Sequence, residues 1–212
     1  MTSGKLAAAV ILAAGEGRRL GKQKALAEYN GNTYLSMILH ALEPVPVDCV
    51  IVAVGYNYVE VIKAHRTFSG VRFVVNDRPQ DGQISSFRCA LREGIGSWRT
   101  VLLSLVDHPA ISSESFEDVL KAANENPRSI IIPTRLGRRG HPVAFPSVLF
   151  EELLSSELPE GARTVLKRHT AMILELPLND PGIVLDVDTP VDCKQLENYL
   201  SQKHGAMYNT IG

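Results

Sequence analysis

Short apolar runs alternate along the chain with segments in which apolar residues recur every three or four positions. The runs at 7–13, 49–54, 71–75, 100–106, 129–133, 171–176 and 182–187 have the length and β-branched content of strands. Helical spacing predicts helices over 33–42, 58–67, 84–93, 113–124, 147–154, 162–169 and 190–200. Most of these runs are close to continuously apolar rather than apolar at alternate positions, so both faces of the sheet are expected to be covered. That pattern predicts an α/β class, a layered α/β/α domain around a mostly parallel sheet. Residues 133–146 are expected to interrupt the regular winding. There is no internal repeat, low-complexity linker or domain boundary in the pattern, so residues 1–201 read as one domain and 202–212 as a flexible tail.

With 212 residues, 45% hydrophobic and 21% charged, the chain can bury the core of one large domain. Its net charge of -1 supplies no general positive field, so nucleic acid is not an expected partner and any cation cluster must act locally. Cys49, Cys89 and Cys193 are odd in number and far apart, without C-x-x-C or Cys/His ligand spacing. They read as reduced core residues of a cytoplasmic protein. Lys5 followed by LAAAVILAA mimics the start of a secretory signal, but four cations follow the run at once. The run is also far short of the roughly 18 residues that span a bilayer. A buried strand is expected there, and no membrane association.

The first strand ends in VILAAGEGRRLGKQK, residues 10–24, with Gly15, Gly17 and Gly21 interleaved with Arg18, Arg19, Lys22 and Lys24. Ligands of such sheets bind beyond the carboxyl ends of strands. The spacing G-E-G-R-R-L-G is one residue too long for the dinucleotide fingerprint, and Gly17 to Gly21 encloses three residues where a P-loop needs four. A glycine loop whose backbone N–H groups wrap a triphosphate, its charge balanced by Arg18, Arg19 or Lys24, fits the pattern. A solvated basic turn is the alternative.

Two further strand ends are acidic. TVLLSLVDHP places Asp107 at the end of a buried strand, while Ser112 or Ser113 is available to cap the next helix, which leaves Asp107 for a metal. In IVLDVDTPVD, the two-residue period predicts Asp186 and Asp188 on one strand face, with Thr189, Pro190 and Asp192 as N-cap, N1 and N3 of the last helix. Hard carboxylates beside a triphosphate point to Mg²⁺.

L-A-A-G-E-G-R-R-L-G-K-Q-K resembles the signature L-A-A-G-x-S-x-R-M-G-x-x-K of the MobA-like nucleotidyltransferases, with Gly17 for the serine and Leu20 for the methionine. Asp107-His108-Pro109 and Asp186-Val187-Asp188-Thr189-Pro190 are similar to the D-x-P and D-I-D-T-P of the molybdenum cofactor cytidylyltransferase branch. VNDRPQDGQISSFRCAL and GRRGHPVAF resemble its N-P-x-x-x-x-G-x-x-S-S and G-R-R-G-H-P-V-x-F, so the likeness runs from residue 7 to 193. It implies a Rossmann-like nucleotidyltransferase fold. It further implies that Leu12, Ala13, Ala14, Gly15 and Gly17 hold a nucleoside triphosphate, and that Arg19 and Lys24 hold its phosphates. Asp107 and Asp188 would be the Mg²⁺ pair, supported by Asp186. Gly82, Ser85, Ser86 and His141 would serve the acceptor side, where a serine capping box and a plain Gly-Pro turn are the alternatives. The implied reaction moves CMP from CTP to a molybdopterin-type acceptor, with contact to a molybdoenzyme or cofactor chaperone as an implied partner. Two departures fall on the acceptor side: Leu158-Pro159-Glu160-Gly161-Ala162-Arg163 stands for G-D-x-G-A-R, and the aromatic residue after N-P is missing. A sugar-1-phosphate nucleotidyltransferase and a non-catalytic nucleotide-binding carrier are the competing readings.

Overall fold

A computed structural model describes residues 7–208, with side chains as far as 203. Lys5 and the last part of the expected tail, 209–212, lie outside the described residues. The chain runs through β1 (Ala7–Ala13), the short pair β2 (Glu28–Tyr29) and β3 (Asn32–Thr33), α1 (Tyr34–Leu42), β4 (Cys49–Val54), α2 (Tyr58–His65), β5 (Val71–Val75) and α3 (Gln83–Arg92). It continues through β6 (Thr100–Leu105), α4 (Ser113–Glu125), β7 (Ile130–Arg135), β8 (Arg138–Arg139), β9 (Val143–Pro146), α5 (Phe150–Leu154), α6 (Ala162–Arg168), β10 (Ile173–Pro177) and α7 (Pro190–Tyr208).

The main sheet has the order β10-β7-β9-β6-β1-β4-β5, with β8 attached to β7. All pairings along it are parallel except those of β9, which runs against both β6 and β7. This reversed strand is the interruption expected within 133–146. Every residue of β1 is buried, as its unbroken apolar run requires. Ala9, Ile11 and Ala13 face one core with Leu35, Ile38 and Phe116 of α1 and α4. Ala8, Val10 and Leu12 face the other with Phe87, Leu91, Leu153 and Val165 of α3, α5 and α6. Burying one such large side chain contributes roughly 1.5–3 kcal/mol, so the three layers follow from the pattern of β1 alone.

Three expectations change. Residues 182–187 do not form a strand: Pro181–Val184 is a 3₁₀ turn and the chain beyond it is irregular. Ile183 and Val187 are buried because they plug the end of the sheet, and they pair with no neighbouring strand. The last helix continues to Tyr208, past the position where the tail was expected to fray. The three cysteines are free, as expected, but each is half-buried rather than enclosed in a core.

Candidate active site

After Ala14 the chain leaves the sheet through two tight turns, with Leu20 N–H donating to the Gly17 carbonyl at 3.1 Å and Gly21 N–H to the Arg18 carbonyl at 3.2 Å. Gly17 has φ +73°, and a Cβ there would collide with the Lys22 carbonyl oxygen, so the loop folds back on itself only with glycine at this position. Gln23 is buried and donates through Nε2 to the Tyr56 carbonyl at 2.8 Å. This anchor starts the 3₁₀ turn Lys24–Leu26 and points Lys24 back toward the sheet.

Lys24 Nζ donates to Asp107 Oδ2 at 2.7 Å, just beyond β6, and also to Asp188 Oδ1. Arg19 Nη2 lies 2.5 Å from Asp188 Oδ2. Burial alone would lower the Lys24 pKa, but Asp107 and Asp188 outweigh it and raise it, so the side chain stays an ammonium. Asp188 is held by the start of α7. The side chain of Asp192 accepts from the backbone N–H groups of Asp188 and Thr189 at 3.1 and 2.7 Å, while Thr189 Oγ1 accepts from Asp192 N–H at 3.4 Å. That is the expected capping box. Val187 N–H donates to the Asp107 carbonyl at 2.8 Å, which ties the two acidic segments together.

The remaining candidates separate. Arg18 is exposed and pairs with Glu16 at 2.5 Å. Asp186 is exposed and makes no hydrogen bond among the described residues, because the segment is irregular and does not give it a strand face shared with Asp188. Ala13 faces the core that holds α1 and α4, away from the site. Leu12, Ala14, Gly15, Gly82, Ser86 and Asp107 line a cavity of about 200 Å³ beside Lys24. Gly82, at φ +85°, precedes α3. Asn76 Nδ2 donates to Ser85 Oγ at 2.8 Å and to Ser86 Oγ at 2.9 Å, and Asn76 Oδ1 accepts from Arg78 N–H at 3.0 Å. The two serine hydroxyls therefore tie the start of α3 to the loop before it, and Ser86 also lines the cavity.

His141 lies on a larger cavity of about 720 Å³ that also reaches Asp107, Arg138, Arg139, Arg163 and Asp188. Its Nδ1 is 3.3 Å from the Leu103 carbonyl. Burial lowers its pKa to about 4, aided by neighbouring His108, so the imidazole is neutral near pH 7. Gly140 is fixed by contact: a Cβ there would meet the Ile183 carbonyl, to which the next residue, His141, donates its backbone N–H at 2.9 Å. The two cavities share Gln83, Leu105 and Asp107, so Asp107 stands at their junction. Sequence reasoning missed Gln83, for which the pattern holds no signal. It also missed Asp180, although Asp-Pro-Gly at 180–182 is a turn signal.

Asp107 Oδ1 is buried without a hydrogen-bond partner among the described residues. An uncommitted carboxylate oxygen with Asp188 alongside suits a hard divalent cation that completes its shell with phosphate and water. Among the described residues no three His, Cys, Asp or Glu side chains converge to form an all-protein metal cage. The donor set therefore fits a cation delivered with a phosphorylated ligand.

A glycine loop, a buried ammonium and paired carboxylates thus stand together at the carboxyl ends of a mostly parallel sheet of Rossmann-like fold. Residues 9–173 match the MobA-like NTP transferase domain, and the chain belongs to that family. GlmU of Bifidobacterium animalis subsp. lactis, named a bifunctional protein, is 30% identical over 121 residues, covering 54% of this chain and 26% of GlmU. A "Probable molybdenum cofactor guanylyltransferase" of Geobacillus sp. is 29% identical over 126 residues, covering 58% of this chain and 62% of that protein. The chain thus spans less than two thirds of either relative. Rv0371c of Mycobacterium tuberculosis H37Rv shares the fold with a TM-score of 0.78 at 24% identity, over 92% of this chain and 98% of its own, and its structure in complex with manganese is also known. No helix among the described residues is long and apolar enough to cross a membrane.

Proposed function

We propose that this protein transfers CMP from CTP to the phosphate of a molybdopterin-type acceptor and releases pyrophosphate. One observation carries the reading: Asp107, bonded to Lys24, lines both the smaller cavity beside the glycine loop and the larger one beside His141. In this reading the smaller cavity takes the donor and the larger one the acceptor. An oxygen of the acceptor phosphate attacks the α-phosphorus as the bond to the pyrophosphate oxygen breaks, and the displaced pyrophosphate carries away the negative charge. The attacking oxygen is already ionised, so the protein has no proton to remove and acts by alignment and charge stabilisation. Lys24, Arg19 and the glycine-loop amides follow the charge onto the leaving group. Asp107 and Asp188 would hold a Mg²⁺ ion, which supplies charge neutralisation at the phosphates.

Cytosine is favoured by the likeness of GRRGHPV and DVDTP to the cytidylyl branch. The Geobacillus relative supports GMP transfer as a second reading. In the favoured reading the protein works in the cytoplasm and its product passes to a molybdoenzyme or a cofactor chaperone. The test is a competition of CTP, GTP, ATP and UTP with molybdopterin cofactor and Mg²⁺, with the incorporated nucleotide identified by mass. A CMP adduct is expected. A GMP adduct alone overturns the choice of base, and pyrophosphate release only with a sugar 1-phosphate overturns the acceptor.

A further inference from the structure

The charged groups at the sheet rim form a nearly closed set. Lys24 Nζ donates to one oxygen of Asp107 and one of Asp188, and Arg19 holds the second oxygen of Asp188. Of the four carboxylate oxygens, only Asp107 Oδ1 has neither a hydrogen-bond nor an ion-pair partner among the described residues. The side chains of Lys24 and Asp107 are each 16% exposed and that of Asp188 is 20% exposed, whereas Arg19 is 73% exposed. The ammonium therefore occupies the space between the carboxylates, where a cation bound to both would sit.

We propose that Lys24 is a built-in counter-ion that keeps a divalent cation out of this site until a nucleoside triphosphate is bound. The proposal rests on the reading of Asp107 and Asp188 as metal ligands. Without nucleotide, two cationic side chains already neutralise the two carboxylates. An incoming metal ion must displace the ammonium and leave it buried with no anion, which is costly in a site shielded from water. A triphosphate reverses the balance. Its oxygens, set along the glycine loop, offer Lys24 and Arg19 new partners and release Asp107 Oδ2 and both Asp188 oxygens at the moment the phosphates arrive beside them. Nucleotide and metal then strengthen each other's binding by the same factor, as linkage requires, and this factor adds to their affinity for each other in solution. The order of loading is thus set by one side chain, with the metal entering together with the nucleotide or after it.

The test uses Mn²⁺ as the probe and the full chain without nucleotide, with free Mn²⁺ read by electron paramagnetic resonance. Replacing the buried ammonium by a neutral group, Lys24→Gln, is expected to tighten Mn²⁺ binding by on the order of 10-fold or more. Lys24→Arg, which retains the charge, is expected to bind Mn²⁺ as weakly as the wild type. Adding Asp107→Asn to Lys24→Gln is expected to remove the gain. Circular dichroism checks that each variant is folded. Should Lys24→Gln fail to fold, the ¹⁵N-lysine spectrum of the wild type decides: CTP alone is expected to move the Lys24 ammonium signal and Mg²⁺ alone to leave it in place. Equal Mn²⁺ affinity of wild type and Lys24→Gln, or displacement of the ammonium by Mg²⁺ alone, overturns the proposal and leaves the metal reading standing. An affinity for Mn²⁺–CTP that Asp107→Asn does not change overturns the metal reading itself.

Discussion

His108 and His141 face each other in the wall of the larger cavity, with ring centroids 4.9 Å apart and planes inclined at 52°. Burial lowers the pKa of both, and that of His141 falls to about 4. His108 and Arg163 push His141 in the same direction, while the Leu103 carbonyl and Asp107 oppose it. In an unfolded chain a histidine ionises near pH 6.5, so between about 4 and about 6.5 the unfolded chain binds more protons than the folded one. The stability that depends on a neutral His141 is therefore complete above about pH 6.5 and lost progressively as pH falls toward about 4, up to about 3 kcal/mol in all. Urea denaturation at pH values of about 7.5 and about 5 should show His141→Gln losing less stability on acidification than the wild type. An identical loss in both would count against this origin.

Gly17 is the point where the glycine loop meets its own return. Gly17→Ser places a Cβ against the Lys22 carbonyl at a φ of +73°, two residues before the catalytic candidate Lys24. The strain is expected to cost about 1–3 kcal/mol of stability. Because Lys24 moves with the displaced segment, CTP affinity should drop by roughly 10-fold as well. Gly21→Ala has the same positive φ but open space around the new methyl group, so it should lose stability while keeping affinity. Thermal melts and CTP titration of the two variants separate strain from collision, and wild-type CTP binding by Gly17→Ser would show that the loop can be rebuilt around a side chain.

For the acidic pair, Asp107→Asn and Asp188→Asn should each lower kcat by on the order of 10² to 10³, because each removes a charge that positions cations on the phosphates. Asp186→Asn should lose far less, since that side chain is exposed and unbonded among the described residues. Continuous detection of pyrophosphate checks all three. A loss in Asp186→Asn equal to that in Asp188→Asn would mean that the irregular segment presents both carboxylates to the substrate.

Asp180 has a different task. Burial pushes its pKa up, but hydrogen bonds from Ser112, Ser115 and Gly182 overcome this and hold it below the ordinary range. Its oxygens accept from Ser112 N–H at 2.9 Å, Ser115 Oγ at 2.7 Å, Gly182 N–H at 2.8 Å and the Tyr199 hydroxyl at 3.1 Å. Asp180→Asn turns an amide donor toward a nest of donors and should cost about 2–4 kcal/mol. The loss should appear in urea denaturation, while kcat per folded molecule stays within a few-fold of wild type. A large loss of kcat with unchanged stability would instead place Asp180 in the chemistry.

Much of this architecture could be read from the chain because β1 and β4 are short, unbroken apolar runs that need cover on both faces. The capping box of α7 was equally legible, since Thr189 and Asp192 have the spacing their hydrogen bonds require. The segment after Asp180 departs from the pattern for a physical reason: the contiguous Ile183-Val184-Leu185 ahead of Asp186 reads as a strand, yet buried Ile183 and Val187 close the end of a sheet rather than extend its edge. The serines at 85 and 86 are ambiguous in sequence because small hydroxyl residues at a helix start serve either as anion ligands or as local anchors. Only the position of Asn76, brought in from the end of β5, shows which groups they bond. The meeting of Lys24 with Asp107 and Asp188 joins residues 83 and 164 positions apart, a distance no local pattern encodes.

The reversed direction of β9 has a consequence for how such a molecule can change. Because β9 runs against its neighbours, its beginning lies beside Leu103, close to where β6 delivers Asp107. The chain reaches that point through a turn at Leu136 and Gly137, both at positive φ, and through the short β8, which hangs from β7 alone. Residues 136–139, ahead of the fixed Gly140 and His141, can therefore lengthen, shorten or change charge without shifting the register of β1 against β4 or β6. One half of the rim keeps the geometry of the glycine loop and its charged partners while the tip of the other is free to drift, so under the proposed reading a lineage built on this plan can acquire a new recipient by rewriting a single hairpin.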